Sequence, residues 1–131
     1  MLAATARAPF DAPDYSFEVK WDGIRCLCLV DDGRIRLFSR HGRDITHRFP
    51  ELGDATGAFT VPKGVFDGEL CVFTDGKPDF EAVRRRNVLS DAKTVAHAAA
   101  SNPAVYIVFD VLRLGDDDTM PLPWLERRRR L

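Results

Sequence analysis

At 131 residues and 45% hydrophobic content, the chain is the length of a single domain that closes its own core without disulfide staples, which excludes a disordered or fibrous chain. The formal net charge of −1 neither demands nor excludes a nucleic-acid partner, because Arg84, Arg85 and Arg86 and the run from Arg127 to Arg130 are basic clusters set against acidic Asp116, Asp117 and Asp118. No apolar run is long enough for a signal peptide or a bilayer span, so the protein is expected in the cytoplasm, without a membrane partner.

In chain order, a strand is expected over residues 16–20, followed by a turn at Asp22-Gly23 and a second strand over 24–30. Asp32-Gly33 then reads as a hairpin turn into a strand over 34–39. A helix is expected over 48–56 after Thr46. Short strands at 64–66 and 69–74 flank Asp67-Gly68, and Asp75-Gly76 marks another turn. Two helices follow, over 79–87 with Asp79 as N-cap and over 90–100 with Ser90 as N-cap, the second stopped by Asn102-Pro103. A strand over 104–112 and a proline-led helix within 121–131 complete the chain. Hairpins first and helices inserted between them argue for an α+β fold with largely antiparallel sheets.

Cys26, Cys28 and Cys71 sit in apolar runs without the spacing of a zinc site, and read as reduced core residues. His41, His47 and His97 do not cluster. Both arginine runs read as solvated helix faces.

The residue that calls for explanation is Lys20, set between Val19 and Trp21 and followed by Asp22-Gly23 and Arg25. A lysine attacks as a nucleophile only when its amine is neutral, and partial burial, a neighbouring cation such as Arg25 and a bound magnesium ion are the available levers. Attack on a nucleoside triphosphate also needs an oxygen ligand for metal or ribose, cations for the phosphates, and an apolar surface for the base. Glu69, Arg25 with Arg40, and Phe109 offer each of these at a predicted strand edge. Taken alone, each has a plainer reading: Lys20 snorkelling from a strand end, Glu69 exposed on a strand, Phe109 in the core, and Arg40 on a hairpin surface.

Four segments in order extend the pattern. Lys20-Trp21-Asp22-Gly23-Ile24-Arg25 fits K-x-D-G-x-R; Ser39-Arg40-His41-Gly42 fits S-R-x-G; Phe66-Asp67-Gly68-Glu69-Leu70 carries D-G-E; Val108-Phe109-Asp110 supplies an aromatic in a strand. The chain thereby resembles covalent nucleotidyltransferases, and its wording most resembles bacterial ATP-dependent DNA ligases, including those acting in break repair. The resemblance implies the N-terminal part of an adenylation domain with a partial ATP-grasp-like nucleotidyltransferase fold. It implies ATP and Mg2+ as cofactors and nicked double-stranded DNA as partner. Lys20 would carry AMP as a phosphoramidate, releasing pyrophosphate. Glu18, two residues earlier, would read the adenine amino group, Arg25 would contact ribose or phosphates, and Glu69 the ribose or the metal. Phe109 would stack on adenine, and Ser39 and Arg40 would engage the 5′-phosphate of a nick.

The E-G and K-x-K elements of the family, and its OB-fold domain, do not occur within the 131 residues. The expectation is therefore one apparently truncated adenylation domain over 1–131, not competent alone for complete ligation. The uncovered sheet edge would call for self-association or a second polypeptide. Two other classes stay open: a non-catalytic nucleotide- or nick-binding module, and an interaction domain. Guanylyl transfer, as in capping enzymes, is the alternative within the enzyme class, and Glu18 argues for adenine over guanine.

Overall fold

The computed structural model describes residues 6–53 and 56–131. Six strands form the frame: β1 (Ile24–Asp31), β2 (Arg34–Ser39), β3 (Lys63–Thr74), β4 (Lys77–Pro78), β5 (Ala104–Leu114) and β6 (Asp117–Asp118). Their order is β2-β1-β3-β5-β6, with β4 paired to β3, and every pairing between these strands is antiparallel. Four short helices accompany them: α1 (Pro50–Gly53), α2 (Phe80–Arg86), α3 (Ala92–Ser101) and α4 (Trp124–Arg129). The α+β expectation holds.

Local chemistry explains most of these elements. Asp32 and Gly33 both adopt positive φ (46° and 77°), as do Asp75 and Gly76 (51° and 74°), the geometry that matches the twist of a two-residue hairpin. Along β1, Cys26, Cys28 and Val30 alternate inward, and Ile35 and Leu37 of β2 join them. With Ile45, Phe49, Phe66, Leu70, Val83 and Val111 they build the core on one face of the sheet. Asp79 caps α2 through Ala82 N at 2.9 Å.

Several expectations are corrected. Residues 16–20 form no strand; β1 is already flanked by β2 and β3 along nearly its whole length, and the preceding segment is irregular backbone that lines a cleft. Asp67-Gly68 makes no hairpin but lies within the 12-residue β3. Gly68 serves space instead: a Cβ there would fall 2.7 Å from the Tyr106 ring, whose hydroxyl donates across β1 and β3 to Cys26 O (2.9 Å) and Phe66 O (3.0 Å). The cap of α3 is Asp91, accepting from Thr94 N at 2.8 Å, in place of Ser90. The helix expected over 48–56 breaks into a 3-10 turn over Thr46–Arg48, the single turn of α1 and a further 3-10 turn over Thr56–Ala58; positions 54 and 55 of that expectation lie outside the described residues.

Nor is the first arginine run a solvated face. Arg84 and Arg85 are exposed, but Arg86 is 3% exposed, ion-paired with Glu51 and donating to Arg48 O and Asn102 O at 2.9 Å each. It clamps α1, α2 and the end of α3 together. Among the described residues no helix is long and apolar enough to cross a membrane.

Candidate functional site

Side chains alternate across a strand, so the face opposite the core is fixed by register. Arg25 pairs with Glu69 and Glu69 with Ile107; Leu27 pairs with Asp67 and Asp67 with Asp110. Between Gly68↔Val108 and Asp67↔Asp110 the register slips by one, leaving Phe109 as an extra residue in β5. Such a bulge re-aims side chains beside it. Here it lets Phe109 and Asp110, adjacent in sequence, both serve the face that carries Arg25 and Glu69, while Val111 returns to the core.

On that face lies a cleft of about 760 Å³. Glu18, Lys20, Arg25, Glu69 and Phe109, five residues singled out by sequence, all line it, together with Trp21, Trp124 and Arg128. The segment from Phe17 to Trp21 supplies one wall and α4 another. Lys20 is exposed, which corrects the expectation that it is partly buried on a strand. Phe109 is half-buried, so it is not spent on the core, and Arg25 sits over its ring at 5.8 Å, a cation–π distance.

Arg25 is oriented by a fork to the buried Asp67, with Nε to Oδ1 at 3.0 Å and Nη2 to Oδ2 at 2.5 Å. That hydrogen bond pushes the guanidinium's pKa further up. Burial pushes the Glu69 carboxyl above its ordinary value, against the pull of Lys20 and Arg25. Glu69 therefore stands in a site where added positive charge would be welcome. Among the described residues no cluster of three acidic, histidine or cysteine groups could hold a metal. A magnesium ion would fit only in the mode usual for nucleotide sites, held by one or two carboxylates with phosphates and water completing the shell, and the carboxylates lining the cleft are Glu18 and Glu69.

Gly23 fits closely behind this wall. A Cβ there would lie 2.8 Å from both Cys71 Sγ and Glu69 Cγ and would collide with Leu70 O. The glycine after Asp22 is thus required by close approach to β3, with no hairpin or positive φ involved.

Ser39 and Arg40 lie elsewhere. They line a second groove of about 510 Å³ with Arg25, Leu27, Gly42, Asp67 and Leu112. Arg25 borders both depressions.

Sequence reading missed four participants. Asp67 is hidden because its partner is set by β1–β3 register. Asp110 takes a two-pronged ion pair from Arg127 at 2.8 Å on each prong. Trp124 and Arg128 share a helix face at four-residue spacing, the one signal that could have drawn attention to them. Arg128 approaches Glu18 at 3.9 Å. The second arginine run is therefore only partly a solvated face.

Comparison with known proteins yields consistent relatives. The model of the ATP dependent DNA ligase domain matches residues 1–131. The chain is 43% identical over 119 residues to DNA ligase C of Mycobacterium tuberculosis, an alignment that covers 91% of this chain and 33% of that protein. It is 38% identical over 130 residues to the SPbeta prophage-derived DNA ligase-like protein LigB of Bacillus subtilis, covering 98% of this chain and 44% of the other. Among solved structures, mycobacterial DNA ligase D complexed with ATP and MES superposes with a TM-score of 0.70 at 28% identity, over 86% of this chain and 34% of that one. The chain thus spans between a third and less than half of the length of these relatives.

Proposed function

Because the chain belongs to the ATP-dependent DNA ligase domain family, we propose that its cleft binds ATP and that Lys20 is the residue that takes up AMP. The observation that carries the reading is the convergence of Glu18, Lys20, Arg25, Glu69 and Phe109 on one cleft, from strands and a loop far apart in sequence. The similar mycobacterial ligase, solved with ATP, lends support.

In this reading the Lys20 amine, which faces solvent, gives up its protons to water and attacks the α-phosphorus of ATP, forming a P–N bond as the bond to pyrophosphate breaks. Arg25, held by Asp67, offers a fixed fork toward ribose or phosphate oxygens, where a rigid guanidinium outperforms a mobile ammonium. Phe109 presents a half-buried ring to the base, a contact worth roughly 1–3 kcal/mol. Glu18 accepts from the adenine amino group once its long contact with Arg128 yields. Bound magnesium would neutralise phosphate charge beside Glu69. Positioning and charge neutralisation carry most of a phosphoryl transfer, and these side chains supply both.

Nicked double-stranded DNA is the proposed acceptor of the AMP, with Ser39 and Arg40 in the adjoining groove meeting its 5′-phosphate. DNA repair is the proposed setting and the cytoplasm the proposed compartment, the latter supported by three buried free thiols. Complete nick sealing is assigned to the assembly in which this chain works with E-G and K-x-K elements, carried on the same or a second polypeptide.

Intact mass after incubation with ATP and magnesium, beside Lys20→Ala, tests the reading. A gain of one AMP by the wild type alone is expected. No gain by a folded wild type that still binds ATP would leave a nucleotide-binding module, and no ATP binding would overturn the reading. Competition by GTP measures the preference for adenine assigned to Glu18.

A further inference from the structure

Helix α4 contributes two cleft-lining side chains, Trp124 and Arg128, yet it is a six-residue helix with no buried residue of its own. A helix this short is not stable by itself, so something else must fix it. No side chain caps its N-terminus. Arg128 makes only a long contact with Phe109 O, at 3.5 Å, and the stronger tie is Arg127, on the turn between the two lining residues. Its guanidinium gives Nε and Nη2 to the two carboxylate oxygens of Asp110 at 2.8 Å each, and Nη1 to Leu122 O at 2.6 Å. Both side chains of the pair are 17% exposed, so water competes little for them. Asp110 follows Phe109, and the bulge in β5 directs both to the same face. Neither Asp110 nor Arg127 lines the cleft.

We propose that Arg127 is a positioning residue for the nucleotide cleft, tying α4 to the strand that carries Phe109 so that Trp124 and Arg128 form a fixed wall facing it. The proposal rests on reading this cleft as the ATP site. Nucleotide affinity then depends on a side chain that never touches the nucleotide, because loss of the pair frees the wall and its ordering must be supplied on binding. Arg128, released with it, also leaves Glu18 unrestrained.

The test uses the full chain with Trp21→Phe, which leaves Trp124 as sole tryptophan reporter, since the sequence has two. Into it are placed Arg127→Gln, Arg127→Lys and, as a control on the same helix, Leu125→Ala, whose side chain is 56% exposed. Acrylamide quenching of Trp124 is measured without nucleotide in this background; because Trp21 lines the cleft, ATP affinity by titration calorimetry and folding by circular dichroism are measured on the same substitutions with Trp21 kept, the wild type being their parent. Arg127→Gln is expected to raise Trp124 quenching at least twofold and weaken ATP binding about tenfold, with Leu125→Ala matching its parent in both. Arg127→Lys, which keeps the charge but not the fork, should fall between, and it carries the test if Arg127→Gln does not fold. Unchanged quenching together with ATP affinity within twofold of the parent would overturn the proposal. If the wild-type chain binds no ATP, the nucleotide reading fails on that arm, and quenching still decides whether Arg127 holds the wall.

Discussion

Gly23 shows how tightly one residue can be specified by a distant strand. Its Cα faces β3 so closely that a methyl group would press on Glu69 Cγ, Cys71 Sγ and the Leu70 carbonyl at once. Backbone oxygen and a buried thiol cannot yield as a flexible side-chain tip would. Gly23→Ala should therefore destabilise the fold by about 1–3 kcal/mol, read as a lower denaturation midpoint. It should also weaken ATP binding beyond what stability explains, because Glu69 is displaced from the cleft wall. An alanine variant with wild-type affinity would separate Gly23 from the site. Lys20, two residues before Asp22, is specified in the opposite manner: it is exposed, and what matters is the cleft it overhangs.

At the level of elements, the clamp made by Arg86 is the device that assembles the helical side of the molecule. It joins Glu51 of α1, the carbonyl of Arg48 and the carbonyl of Asn102, and its guanidinium lies 5.1 Å from the Phe49 ring. Glu51 also accepts from Ala104 N at 2.8 Å, which ties α1 to the start of β5. Removing one member leaves the other charge buried without a partner, so Arg86→Met should cost about 3–5 kcal/mol in a denaturation experiment. The pH dependence follows with a definite sign. Burial alone would push the Glu51 carboxyl up, but its bonds from Arg86 and Ala104 outweigh this and hold it below its ordinary value of 4.5. The unfolded chain thus binds that proton more readily than the folded one, and the contribution of Glu51 is present above pH 4.5 and lost as pH falls through the lowered value. Urea midpoints measured down the acid range should fall less steeply for Glu51→Gln than for the wild type. A parallel decline would assign the acid sensitivity to other carboxylates.

Across the whole molecule, the three cysteines report on global opening. Cys26 and Cys28 lie on the core face of β1, between β2 and β3, and burial pushes both thiols up to about 12, with Cys71 pushed to about 11. A thiolate is the reactive form, so none should react rapidly with a thiol reagent at pH 8 in the native state, and all three should react after denaturation. Fast native labelling would mean that the sheet opens locally. Much of this architecture was determined by the sequence. The Asp-Gly hairpins at Asp32-Gly33 and Asp75-Gly76, the limits of β2, the α2 helix with its Asp79 cap and the buried thiols are carried by local chemistry, which acts over a few residues; Lys20, Arg25, Glu69 and Phe109 are legible from residue chemistry and motif spacing, and Glu18 only through the family resemblance. Tertiary structure alone decided the rest. Residues 16–20 are irregular beside a β1 whose two sides are taken by β2 and β3, and Asp67-Gly68 continues as strand because it is paired on one side with β1 and on the other with β5. Arg86 was drawn inside by Glu51, Phe109 and Asp110 were brought to one face by a slip in β5 register, and Arg127 found Asp110 seventeen residues away. These outcomes depend on which partner occupies the adjacent space, and pairing between distant segments is a property that a linear pattern does not contain.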